Sequence, residues 1–224
     1  MKNKTIFIPL LGIVLMLSNG CKKDEDQPIT DKDDNVYTSV LIGTQTWMVE
    51  NLKTTKYCDG ESIPIIRDSI QWSEQLIGAY CDYNNDPNNS IIHGKLYNWY
   101  AVNTGCLCPE GWHVPSDEEW KTLITTVGGF DTAGGILKEA GTAHWISPNT
   151  GATNLKGFKG LPGGGRNGVL DLIFGDIGYN GLWRTSTESG LHSSWFYFMD
   201  SNSSLVVRTE FVKKQGYSVR CIKN

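Results

Sequence analysis

Little in this chain is of the kind from which catalytic or metal sites are usually built. The four histidines, at 93, 113, 144 and 192, share no ligand spacing, and the six cysteines form no C-x2-C pair, so no metal site is called for. The glycine run "LPGGGRNG" is not followed by G-K-[ST], and neither G-x-S-x-G nor H-E-x-x-H occurs. The usual signals for phosphate cradling, acyl transfer and zinc proteolysis are therefore missing, and the glycine run reads as a tight turn. A dominant charge is missing too: the formal net charge is −4 over 224 residues, which gives no reason to expect nucleic acid or an anionic membrane surface as partner. The apolar run "IFIPLLGIVLML" is too short to cross a bilayer as a stable helix. With no convergent catalytic set and no cofactor motif, the chain is expected to be no enzyme and to carry no cofactor.

What is present begins with an address. Lys2 and Lys4 precede that apolar run, and "SNGC" closes it, which makes residues 1–20 an export signal of the lipoprotein kind with Cys21 as the acylated first residue of the mature chain. The following "KKDEDQPITDKDDN" is charged, free of aromatics and contains a proline, so residues 21–35 read as a flexible acidic tether. The expected location is the outer membrane, lipid-anchored and exposed at the cell surface, with no membrane contact beyond the anchor. Residues 36–224 are a comfortable length for one domain.

Export places the remaining cysteines, at 58, 81, 106, 108 and 221, where disulfides persist. Two bridges and one free thiol can be drawn in about fifteen ways, and spacing alone does not choose among them. "DYNNDPNN" sets oxygens at Asp82, Asn84, Asp86 and Asn88, but Pro87 and His93 stand where a calcium-binding EF-hand needs glycine and glutamate. The stretch reads as a polar, Asx-rich loop.

"VYTSVLIGTQTWMVENL" alternates around "GTQ" and predicts a hairpin, and "DSIQWSEQL" predicts a short helix. In "CPEGWHVPSDEEWKTL", Ser116 and Glu119 have capping-box spacing, and Trp120, Leu123 and Ile124 fall on one face of a helix over 117–127. Its acids are then explained by the helix start rather than by catalysis. A second helix is expected over 132–140. Beyond it, "GFKGLP", "VLDLIFG", "GLWRTSTE", "SWFYFMD", "LVVRTEF" and "YSVRCI" predict a late antiparallel sheet with long turns.

Six ordered blocks, "GTQTWMVENLKT", "GKLYNWYAVNT", "CPEGWHVPSDEEW", "GFKGLPGGGR", "GLWRTSTE" and "GYSVRC", resemble the Fibrobacter succinogenes major paralogous domain family. The resemblance implies an α+β, C-type lectin-like fold, with mixed, mostly antiparallel sheets, two short helices and long loops on one face. It also implies a bridge from Cys108 to Cys221. The sulfatase-activating relatives bind copper through a closely spaced cysteine pair, whereas Cys221 stands alone, and the E-P-N and W-N-D calcium signatures of lectins do not occur. Trp47, Trp99, Trp112 and Trp120 lie in the blocks and are expected to pack. Arg166, Asp171, Tyr179, Asn180, Trp183 and Arg184 are expected to face a ligand, a glycan or a surface protein, since loops on a rigid frame carry recognition. The other role open to such a domain is structural, as a fibre cap or partner scaffold in the envelope.

Overall fold

The computed structural model describes residues 28–169 and 173–224. The stretch expected to be an export signal, Cys21 and most of the acidic segment lie outside the described residues, as does Asp171. Within the segment expected to be a flexible tether, β1 (Ile29–Thr30) pairs antiparallel with β2 (Val36–Tyr37). Asp31 turns this hairpin: its carboxylate accepts from the amides of Asp33 and Asn35 and from the Tyr37 hydroxyl at 2.6 Å. Charges read as solvated are here turn acceptors.

The next hairpin joins β3 (Ser39–Ile42) to β4 (Gln45–Met48) through Gly43, whose φ of 64° suits glycine. A short helix, α1 (Ser69–Glu74), capped by Asp68, leads to β5 (Tyr80–Cys81). The expected Asx-rich loop is instead a 3-10 turn (Tyr83–Asn85) followed by α2 (Pro87–His93). Asp86 caps that helix and Pro87 takes its first turn, where a missing N–H costs nothing. Then come β6 (Leu96–Tyr97), α3 (Trp99–Val102) and β7 (Trp112–His113). The capping box forms at the start of α4 (Asp117–Thr126), and α5 (Phe130–Leu137) follows, so the described residues form five short α-helices rather than two.

The late region supplies β8 (Gly163–Arg166), β9 (Phe174–Ile177), β10 (Asn180–Glu188), β11 (Ser193–Asp200), β12 (Val207–Val212) and β13 (Ile222–Lys223). The glycine run expected as a turn is thus strand β8. Sheet order is β3-β4-β13-β7 in one layer and β10-β11-β12 in another, with β8-β9 as a separate ribbon, so the fold is α+β with small antiparallel sheets. Among the described residues no helix is long and apolar enough to cross a membrane.

α4 lays Trp120, Leu123 and Ile124 into the main core with Trp47, Phe158, Trp183 and Tyr197. Trp120 stacks on Tyr197 at 5.0 Å and meets Trp47 edge-on at 5.2 Å. Cys108, just before β7, bonds to Cys221, just before β13, and Cys58 bonds to Cys106; Cys81 is a buried free thiol.

Irregular chain leaves carbonyls without ladder partners, and buried cations take them up. Arg166 donates to the carbonyls of Ile66, Arg67 and Asp68. Arg220 donates to those of Phe158 and Lys159 and to Asn51 Oδ1. Lys138 reaches the carbonyls of Thr150, Asp200 and Ser203 at 2.7 to 3.1 Å, and burial pushes its ammonium down to about 8. These ties fix long segments to the sheets and leave a firm surface around the β8-β9 ribbon.

Candidate functional site

Residues 216–218 run between three elements: Tyr217 bridges Tyr97, Gly216 bridges Arg166 of β8, and Ser218 bridges Trp183 of β10. Tyr217 is therefore held in place from three sides. Beside it opens a hollow of about 350 Å³, walled by β8, β9 and β10 and lined by Asn167, Phe174, Asp176, Leu182, Gln215 and Tyr217, with the Arg166 stem behind them. Glycine makes the close approach: a Cβ on Gly165 would lie 3.0 Å from the Tyr217 ring, and one on Gly164, at φ 61°, would lie 2.4 Å from the Gly175 carbonyl oxygen. The glycine run thus serves strand packing, and it lets an aromatic ring lie against the backbone.

The lining is half apolar and half polar. Phe174 packs on Tyr83 at 5.3 Å, and Tyr217, only 7% exposed, meets Phe196 at a tilt at 4.6 Å, so both rings are braced. The Arg184 guanidinium lies 4.8 Å from the Tyr217 ring centre. Burial first, and Asp176 against the opposing pull of Arg184, push the Tyr217 phenol up to about 12, so it keeps its proton at neutral pH. Gln215 accepts from the Gly168 amide at 2.7 Å and donates to Asn167 Oδ1 at 3.3 Å, which orients the Asn167 amide group. Asp176 is exposed, at φ 71°, near the end of β9. A second hollow of about 520 Å³, lined by Leu76, Tyr100, Val169, Val212 and Lys214 among others, adjoins it across Gly168.

The residues expected to face a ligand divide. Arg166 is 1% exposed and its guanidinium turns inward, between Trp72 at 4.4 Å and Phe174 at 5.2 Å, onto the three carbonyls named above. Trp183 is fully buried in the main core and donates from Nε1 to Asn51 Oδ1 at 2.9 Å. Arg184, also fully buried, donates to Ser194 Oγ and to the Gln215 carbonyl. For these three the expectation is corrected: β8 is buried along its length and β10 is buried on both faces from Gly181 to Thr185, and the two guanidinium groups donate to backbone carbonyls and Ser194 Oγ rather than to a ligand. Tyr179 is half exposed and Asn180 half buried at the β9–β10 turn, outside the hollow. Asp82 accepts through Oδ1 from Ser90 and from Lys95 at 2.8 Å, and Asp86 is a helix cap, so both have structural roles. Phe174, Asp176, Asn167, Gln215 and Tyr217 were not singled out in the sequence. Tyr217 stands in the "GYSVRC" block, where it reads as scaffold.

The family model described as the Fibrobacter succinogenes major domain matches residues 40–223. The chain belongs to that family. No curated protein and no solved structure matches it. The match spans every wall of the hollow, and the β1–β2 hairpin lies ahead of its start.

Proposed function

We propose that this Fibrobacter succinogenes major domain is a non-catalytic surface binding module on a C-type lectin-like frame, held to the outer membrane by a lipid on Cys21. Its ligand is a neutral glycan, one ring of which sits in the Phe174–Tyr217 hollow. The observation that carries this reading is the pairing of two braced aromatic rings with an exposed carboxylate and an oriented carboxamide in one concavity of single-sugar size. Flat rings take the C–H face of a sugar, while Asp176, the Asn167 amide and the Tyr217 hydroxyl suit its hydroxyls. The adjoining apolar hollow offers room for a second residue of the chain.

A glycan array probed with residues 28–224 tests it, beside Asp176→Asn and Phe174→Ala forms. Binding to a restricted set of neutral glycans that both substitutions weaken supports the reading, and an empty array refutes it. Labelling of the full chain with a fatty-acid analogue, lost in Cys21→Ala, tests the anchor. The second reading, an assembly component of the envelope, is favoured by the open edge of β12, taken up next.

A further inference from the structure

β12 is the last strand of the β10-β11-β12 sheet. Its register with β11 fixes which of its backbone groups are free. Ser193 is opposite Val212, and the Lys213 amide donates to the His192 carbonyl, which makes 193/212 a non-hydrogen-bonded pair. Residues 207, 209 and 211 therefore bond to β11, and residues 208, 210 and 212 point their N–H and C=O groups away from it. The Val206 amide agrees with this parity, since it leaves the sheet to reach the Phe130 carbonyl. The Val212 carbonyl accepts from Gln215. Among the described residues nothing takes up the N–H and C=O of Arg208 and Glu210, and no proline or bulge protects them. An uncovered edge of this kind is a template for another strand.

We propose that the edge of β12 pairs antiparallel with β12 of a second copy of this chain, about a two-fold axis at Thr209, to give one continuous six-stranded sheet. The side chains select that occupant and that register. Three two-fold registers, with the axis at Arg208, Thr209 or Glu210, centre on the free N–H and C=O groups of Arg208 and Glu210. An axis at Arg208 sets Arg against Arg, and one at Glu210 sets Glu against Glu. The axis at Thr209 sets Arg208 opposite the second copy's Glu210 on one face, twice by symmetry, and Val207 opposite its Phe211 on the other, also twice. Arg208 has a donor in hand: Nε and Nη2 engage Asp117 at 2.7 and 2.9 Å, while Nη1 has no hydrogen-bond partner among the described residues. Glu210 is exposed and Phe211 is 47% exposed, so the pairing covers apolar surface as well as matching charge. Leu182, Phe196, Phe198 and Val207 share the Phe211 face, the one on which Tyr217 lies, so the Phe174–Tyr217 hollows of the two copies lie on the same side of the joined sheet. The proposal does not depend on what the hollow binds.

The axis predicts that the two Thr209 residues form a non-hydrogen-bonded pair with Cα atoms about 4.5 Å apart, within disulfide reach. The full chain carrying Thr209→Cys, expressed in exporting cells and run on a non-reducing gel, is expected to give a linked dimer. Phe211→Cys, four residues out of step with its own copy, is expected to stay a monomer. Adding Glu210→Pro to Thr209→Cys removes an outward N–H without touching the β11 ladder and is expected to abolish the dimer, with the circular dichroism spectrum unchanged. No dimer with Thr209→Cys in a folded chain, or equal dimer with Phe211→Cys, overturns the proposal.

Discussion

Replacing Cys108 and Cys221 together by alanine removes a link between residues 113 apart in sequence. The two half-cystines join the segment before β7 to the segment before β13, so in the folded domain the link holds together strands that are already neighbours in one sheet. Its effect falls on the unfolded chain. Closing a loop of that length costs the denatured ensemble about 5 kcal/mol of entropy at 25 °C, before native strain is deducted. The Cys58–Cys106 link, with a separation of 48, is worth about 4 kcal/mol by the same relation. The two loops follow one another without overlap, so their contributions add, and together they rival the whole stability of an ordinary domain, about 5–15 kcal/mol. Urea unfolding followed by tryptophan fluorescence measures this directly. The Cys108→Ala/Cys221→Ala form is expected to lose several kcal/mol and to unfold with a larger m-value, since its denatured state is more open. A double variant within about 1 kcal/mol of the parent would refute the loop-closure reasoning.

Other outcomes follow from single groups. Trp183→Ala empties the main core and is expected to cost about 3–5 kcal/mol in urea unfolding, while at temperatures where the variant is folded any ligand binding survives. Cys81 is buried and its thiol is pushed up to about 12, by burial first, so iodoacetamide at pH 8 is expected to leave it unmodified until urea opens the domain. Burial, and then the charge of His144, push the His93 imidazole down to about 4, so below its unfolded value of about 6.5 the denatured chain takes the proton first. Stability is then lost as pH falls from about 6.5 toward 4, and His93→Gln is expected to flatten that window. At lower pH the carboxylates of Asp82, Asp117 and Glu119 add to the loss. Burial raises each, but hydrogen bonds from Lys95 and Ser90, from Arg208, Lys121 and Tyr197, and from Ser116 and His113 outweigh it and hold them below the usual range. Their contribution is therefore present above the unfolded carboxylate value and disappears as pH falls through the depressed one.

Local patterns read well in this chain because their causes are local. Ser116 and Glu119 announce a helix start by spacing alone, and the alternation around Gly43 announces a hairpin. The Asp86–Pro87 start of α2 was also legible, but the surrounding asparagines gave it the composition of a loop. Residues 28–35 were masked by their charge in the same way. What no local pattern carries is the use of charge inside. Arg166 and Arg184 read as ligand groups because arginine usually is one, and only the folded arrangement shows that they, like Arg220, meet backbone carbonyls that needed a donor. Strand alternation could not have placed Trp183, since β10 is buried on both faces from Gly181 to Thr185. The hollow itself was not legible: Asn167, the β9 residues Phe174 and Asp176, and Tyr217 come from three segments, and the last of them joins the β8–β9 ribbon only through the crossing at residues 216–218.

The account turns on the Phe174–Tyr217 hollow as the place where this domain meets a sugar ring. Saturation-transfer NMR of residues 28–224 against a panel of neutral mono- and disaccharides reads that contact from the ligand's own ring protons. The account predicts transfer to at least one sugar, lost in Phe174→Ala and kept in Tyr179→Ala, whose aromatic ring lies exposed outside the hollow. Transfer to no sugar, or transfer that Tyr179→Ala abolishes and Phe174→Ala leaves intact, would contradict it.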